Sequence, residues 1–165
     1  MCIDYKCLNA KMCKDSFPLP QTEEALDSSK GAKYFSTLDL TLGYNQIAVD
    51  EADKHKTAFI TPFGLFQYER LPFGMSGASA TIQRFMQCLF SEKLFEILLI
   101  YLDELLVFSE MFEEHLQHLD YVLTTIEKHG LELKPSKCQL FRDELGAMSG
   151  SHHIGRRCSN RSGES

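Results

Sequence analysis

The sequence ILLIYLDELLVF, at residues 97–108, consists of two apolar runs separated by one pair of acidic residues. The runs Ile97–Leu102 and Leu105–Phe108 have the length and the aliphatic content of buried strands. Asp103 and Glu104 lie between them, and polar residues at such a point favour a turn. The stretch therefore predicts a β-hairpin with carboxylates at its turn. It is too short and too charged to span a bilayer.

Strand and helix patterns alternate on both sides of this hairpin. Apolar residues at helical spacing predict one helix before it and one after it, and Gly130 favours an end to the second. In chain order the predicted elements are a strand at Tyr34–Leu40, a hairpin of Thr57–Thr61 with Leu65–Leu71, a helix at Ala78–Lys93, the strands Ile97–Leu102 and Leu105–Phe108, a helix from Phe112 through Ile126, and a strand at Cys138–Phe141.

This order predicts an α+β fold. Without the inserted hairpin at 57–71, the elements follow the ferredoxin-like β-α-β-β-α-β pattern. A crossover helix makes Tyr34–Leu40 parallel to Ile97–Leu102, with Leu105–Phe108 running back between them. Parallel strands end at the same edge of a sheet, so we expect Asp39 and Asp103 to lie side by side.

Neighbouring carboxylates need a counter-charge, because mutual repulsion raises their pKa values. Asp39, Asp103 and Glu104 are hard oxygen donors of the kind that bind Mg²⁺, and two such ions about 4 Å apart serve polymerases and nucleases. The alternative is that these are three unrelated surface acids. Both interpretations stay open on spacing alone.

The overall charge argues against a free-standing nucleic-acid binder. The chain has 165 residues, the size of one domain, and a formal net charge of −6. Residues 1–145 hold 14 basic and 22 acidic side chains, whereas residues 146–165 carry a small basic excess. The acidic part fits a site that collects carboxylates for metal ions, and it equally fits a fragment that has lost its basic regions.

The six cysteines lack zinc-ligand spacing and the start lacks an apolar signal region, so we expect reduced thiols and an intracellular protein, cytoplasmic or nuclear.

Short motifs follow one another along the chain from Cys2 to Leu145. They are Asp4-Tyr5-Lys6-Cys7-Leu8-Asn9, Phe17-Pro18-Leu19-Pro20, Lys33-Tyr34-Phe35-Ser36-Thr37-Leu38-Asp39-Leu40, Gly43-Tyr44-Asn45-Gln46, Lys56-Thr57-Ala58-Phe59, Thr61-Pro62-Phe63-Gly64, Leu71-Pro72-Phe73-Gly74-Met75, Tyr101-Leu102-Asp103-Glu104, Phe112-Glu113-Glu114-His115 and Leu133-Lys134-Pro135-Ser136-Lys137-Cys138. In this order they resemble the reverse transcriptase domain of gypsy-type LTR retrotransposon Pol polyproteins. The resemblance implies a palm with part of the fingers, in which the hairpin at 57–71 is the fingers insertion.

The resemblance also implies a metal site. Asp39 and Asp103 match the carboxylates that bind two Mg²⁺ ions, with Mn²⁺ as a substitute. The main-chain carbonyl of Leu40 matches one that completes an ion's shell. Glu104 stands at the second acid of the Tyr-x-Asp-Asp box, where the family has Asp. The extra methylene moves that carboxylate by roughly 1.5 Å.

Four further residues match nucleotide-binding positions. Tyr44 corresponds to the residue that packs under the incoming sugar and disfavours a 2′-hydroxyl; its alternative is a core aromatic. Phe73 and Gly74 correspond to the segment that lines the nucleotide pocket; the alternative is that they form an ordinary Pro-Phe-Gly turn. Lys137 corresponds to a lysine that protonates the leaving pyrophosphate; the alternative is a solvated loop lysine without a catalytic role.

The resemblance implies RNA-directed DNA polymerase activity, transferring nucleotides from dNTPs to a primer 3′-hydroxyl on an RNA or DNA template. The alternatives are a catalytically inactive retroelement remnant and an unrelated ferredoxin-like binding module. The expected domain is 1–145, and residues 146–165 match nothing in the family, so we expect them to be a disordered tail. Expected partners are the template, the primer, dNTPs and the thumb and RNase H regions of the parent polyprotein, with no membrane. Without those regions, and with Glu104 in the box, we expect weak activity or none from this chain.

Overall fold

A computed structural model of the chain describes residues 3–13, 17–18 and 27–142. The predicted tail at 146–165 and the domain boundary at residue 145 lie outside the described residues. Within the described ranges, no helix is long and apolar enough to cross a membrane.

The described elements follow the predicted order. The helices are α1 at Lys6–Asn9, α2 at Glu51–Lys54, α3 at Ala78–Leu89 and α4 at Phe112–Lys128, and the strands are β1 at Tyr34–Asp39, β2 at Phe59–Thr61, β3 at Gly64–Phe66, β4 at Leu98–Tyr101, β5 at Glu104–Ser109 and β6 at Gln139–Arg142. Short 3₁₀ turns lie at Gly43–Gln46, His55–Thr57 and Pro135–Lys137.

The main sheet has the strand order β4-β5-β1-β6. Each neighbouring pair in it is antiparallel, so β1 and β4 run parallel with β5 between them. This arrangement confirms the ferredoxin-like topology, and it places the ends of β1 and β4 at one edge.

The two long helices cover one face of this sheet. Leu38 and Leu40 point toward them, and Asp39 between these residues faces the opposite side. The shared core consists of Leu38, Leu40, Ile82, Met86, Phe90, Ile97, Leu98, Ile100, Leu105, Val107, Leu119, Val122, Ile126 and Leu131. A smaller buried cluster, formed by Phe35, Leu99, Leu106 and Phe108, lies on the other face.

The structure corrects the sequence interpretation at the β4–β5 turn. Glu104 is the first residue of β5 and pairs with Asp39 and Tyr101 instead of lying in the turn. The turn has the predicted length of two residues but lies one position earlier, at Leu102 and Asp103, and Leu102 takes a left-handed conformation with φ +57°. Two elements are also shorter than predicted: α3 stops at Leu89 instead of Lys93, and the second strand of the inserted hairpin ends at Phe66 instead of Leu71. Helix α1 at Lys6–Asn9 precedes the first predicted element.

Candidate active site

The end of β1 and the β4–β5 turn bring acidic residues to one edge of the sheet. Asp39 lies opposite Glu104 across the β1–β5 ladder, so both side chains project from the same face. The amide of Leu40 donates to the carbonyl of Asp103 at 3.0 Å. That bond fixes the Asp103 turn against the residue after Asp39.

A buried glutamine of α3 holds this turn in place. Gln83 is fully buried, and its Nε2 donates to the carbonyl of Ile100 at 3.0 Å. Its Oε1 accepts from the amide of Leu102 at 2.7 Å. Sequence reasoning missed this residue, although its signal was present, since Gln83 is a polar residue on the apolar face of a helix between Ile82 and Met86.

Gly43 gives the Asp103 side chain its space. This glycine is buried at the start of the 3₁₀ turn that follows β1. A Cβ added there would lie 2.6 Å from the Cβ of Asp103 and 3.0 Å from Cδ1 of Ile82. Only a residue without a side chain therefore fits between the turn and helix α3.

One lysine supplies positive charge to the acids. Nζ of Lys137 donates to Oδ2 of Asp39 at 3.0 Å, and Asp39 itself is buried. The bond to Asp39 is the main reason why the pKa of Lys137 is raised, and the charges of Asp103 and Glu104 raise it further. Burial, together with the charge of Asp39, raises the pKa of Asp103 against the opposing effect of its own backbone hydrogen bond and of Lys137. The structure thus brings Asp39, Asp103, Glu104 and Lys137 together.

The donor set suits a hard divalent cation. Among the described residues, no three His, Cys, Asp or Glu side chains are grouped so as to hold an ion by themselves. Asp39 and Asp103 offer two carboxylates, and Mg²⁺ is commonly held by one or two carboxylates together with waters and substrate phosphates. Leu40 has a buried side chain, so only its backbone is available at this edge. The residues present therefore fit Mg²⁺ that arrives with a phosphate ligand.

An aromatic pair lies beside the acids. Tyr44 follows Gly43 in the 3₁₀ turn, and its ring meets Phe73 edge to face with centroids 5.1 Å apart. Its hydroxyl lies 3.2 Å from Oγ of Ser79 in the first turn of α3. Tyr44 is half-buried and Phe73 is half-exposed, so the pair presents an apolar surface next to the Asp103 turn.

The loop after Phe73 is held by α1. Gly74 has φ +93°, a left-handed conformation that favours glycine. Nδ2 of Asn9 donates to the Gly74 carbonyl at 2.8 Å, and Oδ1 of Asn9 accepts from the Ser76 amide at 2.8 Å. Asn9 therefore fixes the loop at both ends, a role that the sequence did not indicate.

A second glutamine ties the 3₁₀ turn to the segment before Lys137. Gln46 donates from Nε2 to the carbonyls of Thr41 and Glu132, and its Oε1 accepts from the Glu132 amide at 2.7 Å. The amide of Lys134 donates to the carbonyl of Asp39 at 2.8 Å. These bonds anchor the chain that carries Lys137 to the end of β1.

Known proteins that resemble this chain identify its family. The family model described as "Reverse transcriptase (RNA-dependent DNA polymerase)" matches residues 1–154. The chain belongs to the reverse transcriptase family. It is 39% identical over 137 residues to the Retrovirus-related Pol polyprotein from transposon opus of Drosophila melanogaster, covering 83% of this chain and 14% of that protein. It is 34% identical over 143 residues to the polyprotein from transposon gypsy of the same fly, covering 87% of this chain and 14% of that protein.

Solved structures of reverse transcriptases share the fold. The foamy viral protease-reverse transcriptase in complex with RNA/DNA hybrid superimposes with a TM-score of 0.76 at 23% identity, covering 86% of this chain and 19% of that protein. The same enzyme in complex with double-stranded DNA gives a TM-score of 0.75 at 23% identity, covering 88% and 25%. The reverse transcriptase family and its α+β palm fold are thereby confirmed, and this chain spans about 14% of the transposon polyproteins it matches.

Proposed function

We propose that this chain carries the catalytic palm of an RNA-directed DNA polymerase from a retrotransposon Pol polyprotein. The reaction is attack of a primer 3′-oxygen on the α-phosphate of a dNTP, with pyrophosphate as the leaving group. The observation that carries the proposal is the meeting of Asp39 and Asp103 at one sheet edge, in a chain that belongs to the reverse transcriptase family.

The proposed metal ligands are the carboxylates of Asp39 and Asp103 and the carbonyl of Leu40. Glu104 projects from the same face as Asp39 and adds negative charge beside them. Two Mg²⁺ ions, or Mn²⁺ in their place, would supply charge stabilisation for the attacking and leaving oxygens. The protein's own contribution is to fix the acids in position, through Gln83 and the Leu40–Asp103 backbone bond.

The proposed nucleotide contacts are made by the aromatic pair and the loop after it. The Tyr44 ring packs under the sugar of the dNTP, and Phe73 holds that ring from the side. The backbone at Gly74 lets the loop pass close to the nucleotide, because no side chain projects there. Lys137 donates a proton to the leaving pyrophosphate, and its raised pKa keeps that proton in place beforehand.

The proposed partners are a primer, an RNA or DNA template and the rest of the parent polymerase. The structural neighbours include complexes with RNA/DNA hybrid and with double-stranded DNA, which supports a nucleic-acid substrate here. The acidic balance of residues 1–145 supports a need for thumb and RNase H regions, since phosphate contacts by Lys and Arg supply most nucleic-acid affinity. We place the domain at 1–145, leave residues 146–165 outside it, and assign the protein to the inside of the cell.

A graft tests the proposal. Residues 1–142 replace the matching segment of the gypsy Pol polyprotein, and primer extension on poly(rA) with oligo(dT) is measured with Mg²⁺ and with Mn²⁺. We expect extension that Asp103→Asn abolishes. Extension that survives Asp103→Asn would show that the acid site has been misassigned.

The second candidate is an inactive remnant, and Glu104 is the observation that favours it. Its carboxylate stands one methylene further out than that of Asp, and a misplacement of about 1 Å can cost on the order of 100-fold in rate. If the graft shows no primer extension either with Glu104 or with Glu104→Asp, while the parent polyprotein extends its primer, the inactive remnant is the correct assignment.

A further inference from the structure

Strand β6 contains a bulge opposite Ser36. In the β1–β6 ladder Phe35 pairs with Arg142 and Thr37 pairs with Gln139, so one strand has a residue more than the other between these pairs. Phe141 lies in the longer stretch with φ +53°, a left-handed conformation that is unfavourable for a bulky side chain. A residue in such a conformation needs contacts from the surrounding structure that stabilise it.

The Ser36 side chain holds the bulge. The Phe141 amide, which the bulge turns away from the ladder, donates to Oγ of Ser36 at 3.1 Å. The Phe141 ring packs against His115 and Phe112, with centroids 5.4 Å and 5.3 Å apart. Ser36 is itself fully buried, so its hydroxyl takes its hydrogen-bond partners from within the fold.

His115 of α4 orients Ser36. Its Nε2 lies 2.7 Å from Oγ of Ser36, and its Nδ1 lies 2.9 Å from Oγ of Ser109. His115 is fully buried, and burial lowers its pKa, so the ring is neutral at neutral pH and one nitrogen accepts. With Nε2 as the acceptor, the Ser36 hydroxyl donates to His115 and its oxygen stays available to the Phe141 amide. The Ser109 hydroxyl continues the chain of bonds to Nδ1 of His118 at 2.7 Å.

Lys137 lies between two fixed points, the 3₁₀ turn that follows Lys134 and the bulge at Phe141. The chain leading to it is fixed on one side by the Lys134 amide on the Asp39 carbonyl, and on the other side by Arg142 opposite Phe35. Between these two anchors the bulge takes up one extra residue. Without it, Gln139 would shift by one residue along β1, about 3.3 Å, and this shift would pull on the turn in which the Lys137 amide donates to the Lys134 carbonyl at 2.9 Å. The Lys137 ammonium would then leave Asp39, which it reaches at 3.0 Å.

We propose that Ser36 and His115 are positioning residues of the polymerase site, which present the Lys137 ammonium to Asp39 by holding the Phe141 bulge. The catalytic part of this inference rests on the proposed function, in which Lys137 donates a proton to the leaving pyrophosphate. The geometric part stands on the contacts of Ser36, His115 and Phe141 alone. Ser36 and His115 touch neither nucleotide nor metal in this proposal.

The test is the acetylation rate of Lys137 in the full chain, measured by peptide mass spectrometry without metal or nucleotide. Ser36→Ala removes the hydroxyl that holds the bulge. Ser109→Ala is the matched control, because it deletes the same group from the other nitrogen of His115 and does not touch Phe141. Lys54 is the internal reference: its side chain is only 15% exposed and pairs with Glu51 and Glu69.

We expect Ser36→Ala to raise the Lys137 rate by up to about fivefold, the protection that a half-exposed ion pair can give. Lys54 keeps its rate in that variant, and both lysines keep theirs in Ser109→Ala. The inference is overturned if Lys137 is unchanged in Ser36→Ala, if Ser109→Ala accelerates it equally, or if Lys54 accelerates in parallel because the whole fold has loosened. Since no metal or substrate is present, these outcomes are independent of the primer-extension test of the proposed function.

Discussion

Gly43→Ala is the substitution whose effect on the acid site follows most directly from the structure. The new methyl would lie 2.6 Å from Cβ of Asp103, whereas ordinary van der Waals contact begins at 3.4 Å. Ile82, fully buried in α3, blocks retreat on its other side at 3.0 Å. The Asp103 turn must therefore move by about 0.8 Å to restore ordinary contact.

Two magnitudes follow from this displacement. Overpacking of a buried site costs about 1–3 kcal/mol, and each kcal/mol lowers the Tm of a chain this long by about 2–4 °C. A misplacement of about 1 Å at reacting groups costs on the order of 100-fold in rate. We therefore expect Gly43→Ala to lower the Tm moderately and to reduce primer extension by the grafted polymerase far more than stability loss explains.

Gly130→Ala is the control for Gly43→Ala. Gly130 has φ +65°, so a side chain there is strained, but nothing lies within 4 Å of the added Cβ. This variant should lose stability and keep its extension rate. Calorimetry of the chain and primer extension by the graft measure the two effects. Equal extension by the Gly43→Ala and Gly130→Ala grafts would refute the reasoning, because it would mean that Asp103 had not moved.

Three further expectations concern stability and the second acid of the box. Gln83→Leu leaves the Leu102 amide and the Ile100 carbonyl without their partner, which should cost about 1–3 kcal/mol for each group in urea unfolding; an unchanged midpoint would contradict the role given to Gln83. The pKa of His115 is lowered in the folded chain, so as the pH falls through about 6.5 the unfolded chain binds the proton first and the free energy of unfolding decreases. His115→Phe should flatten that part of the pH profile, and an unaltered slope would assign it to another group. Glu104→Asp should raise extension by the graft, and an unchanged rate would show that this position tolerates the longer side chain.

Much of the fold could be predicted from the sequence because its apolar residues recur with clear strand and helix periodicity. The apolar run before Asp103 and the amphipathic helix from Phe112 bury their apolar residues as the patterns require. The crossover rule then placed β1 parallel to β4, and with that Asp39 beside Asp103. Local signals were weaker at the turn itself, where Leu102 adopts φ +57° and draws Glu104 into β5.

The supporting residues of the site were not readable, because their roles depend on contacts between distant segments. Gln83 bonds the backbone 17 and 19 positions away, and Gln46 bonds Glu132, 86 positions away. Asn9 reaches the Gly74 loop across 65 positions. No sequence spacing predicts the partners of Gln and Asn side-chain amides, so only the folded chain shows which backbone groups they hydrogen-bond.

Binding of the Mn²⁺–dNTP complex by this chain, measured by electron paramagnetic resonance, tests most directly that Asp39 and Asp103 form a metal site that takes its cation together with a phosphate ligand. We predict binding by the unaltered chain that Asp39→Asn and Asp103→Asn each remove. Asp53→Asn is the matched control, since Asp53 is an exposed acid paired with Lys56 on another part of the surface, and it should keep the binding. Absence of binding by the unaltered chain, or equal binding by Asp103→Asn, would contradict the assignment of the metal site.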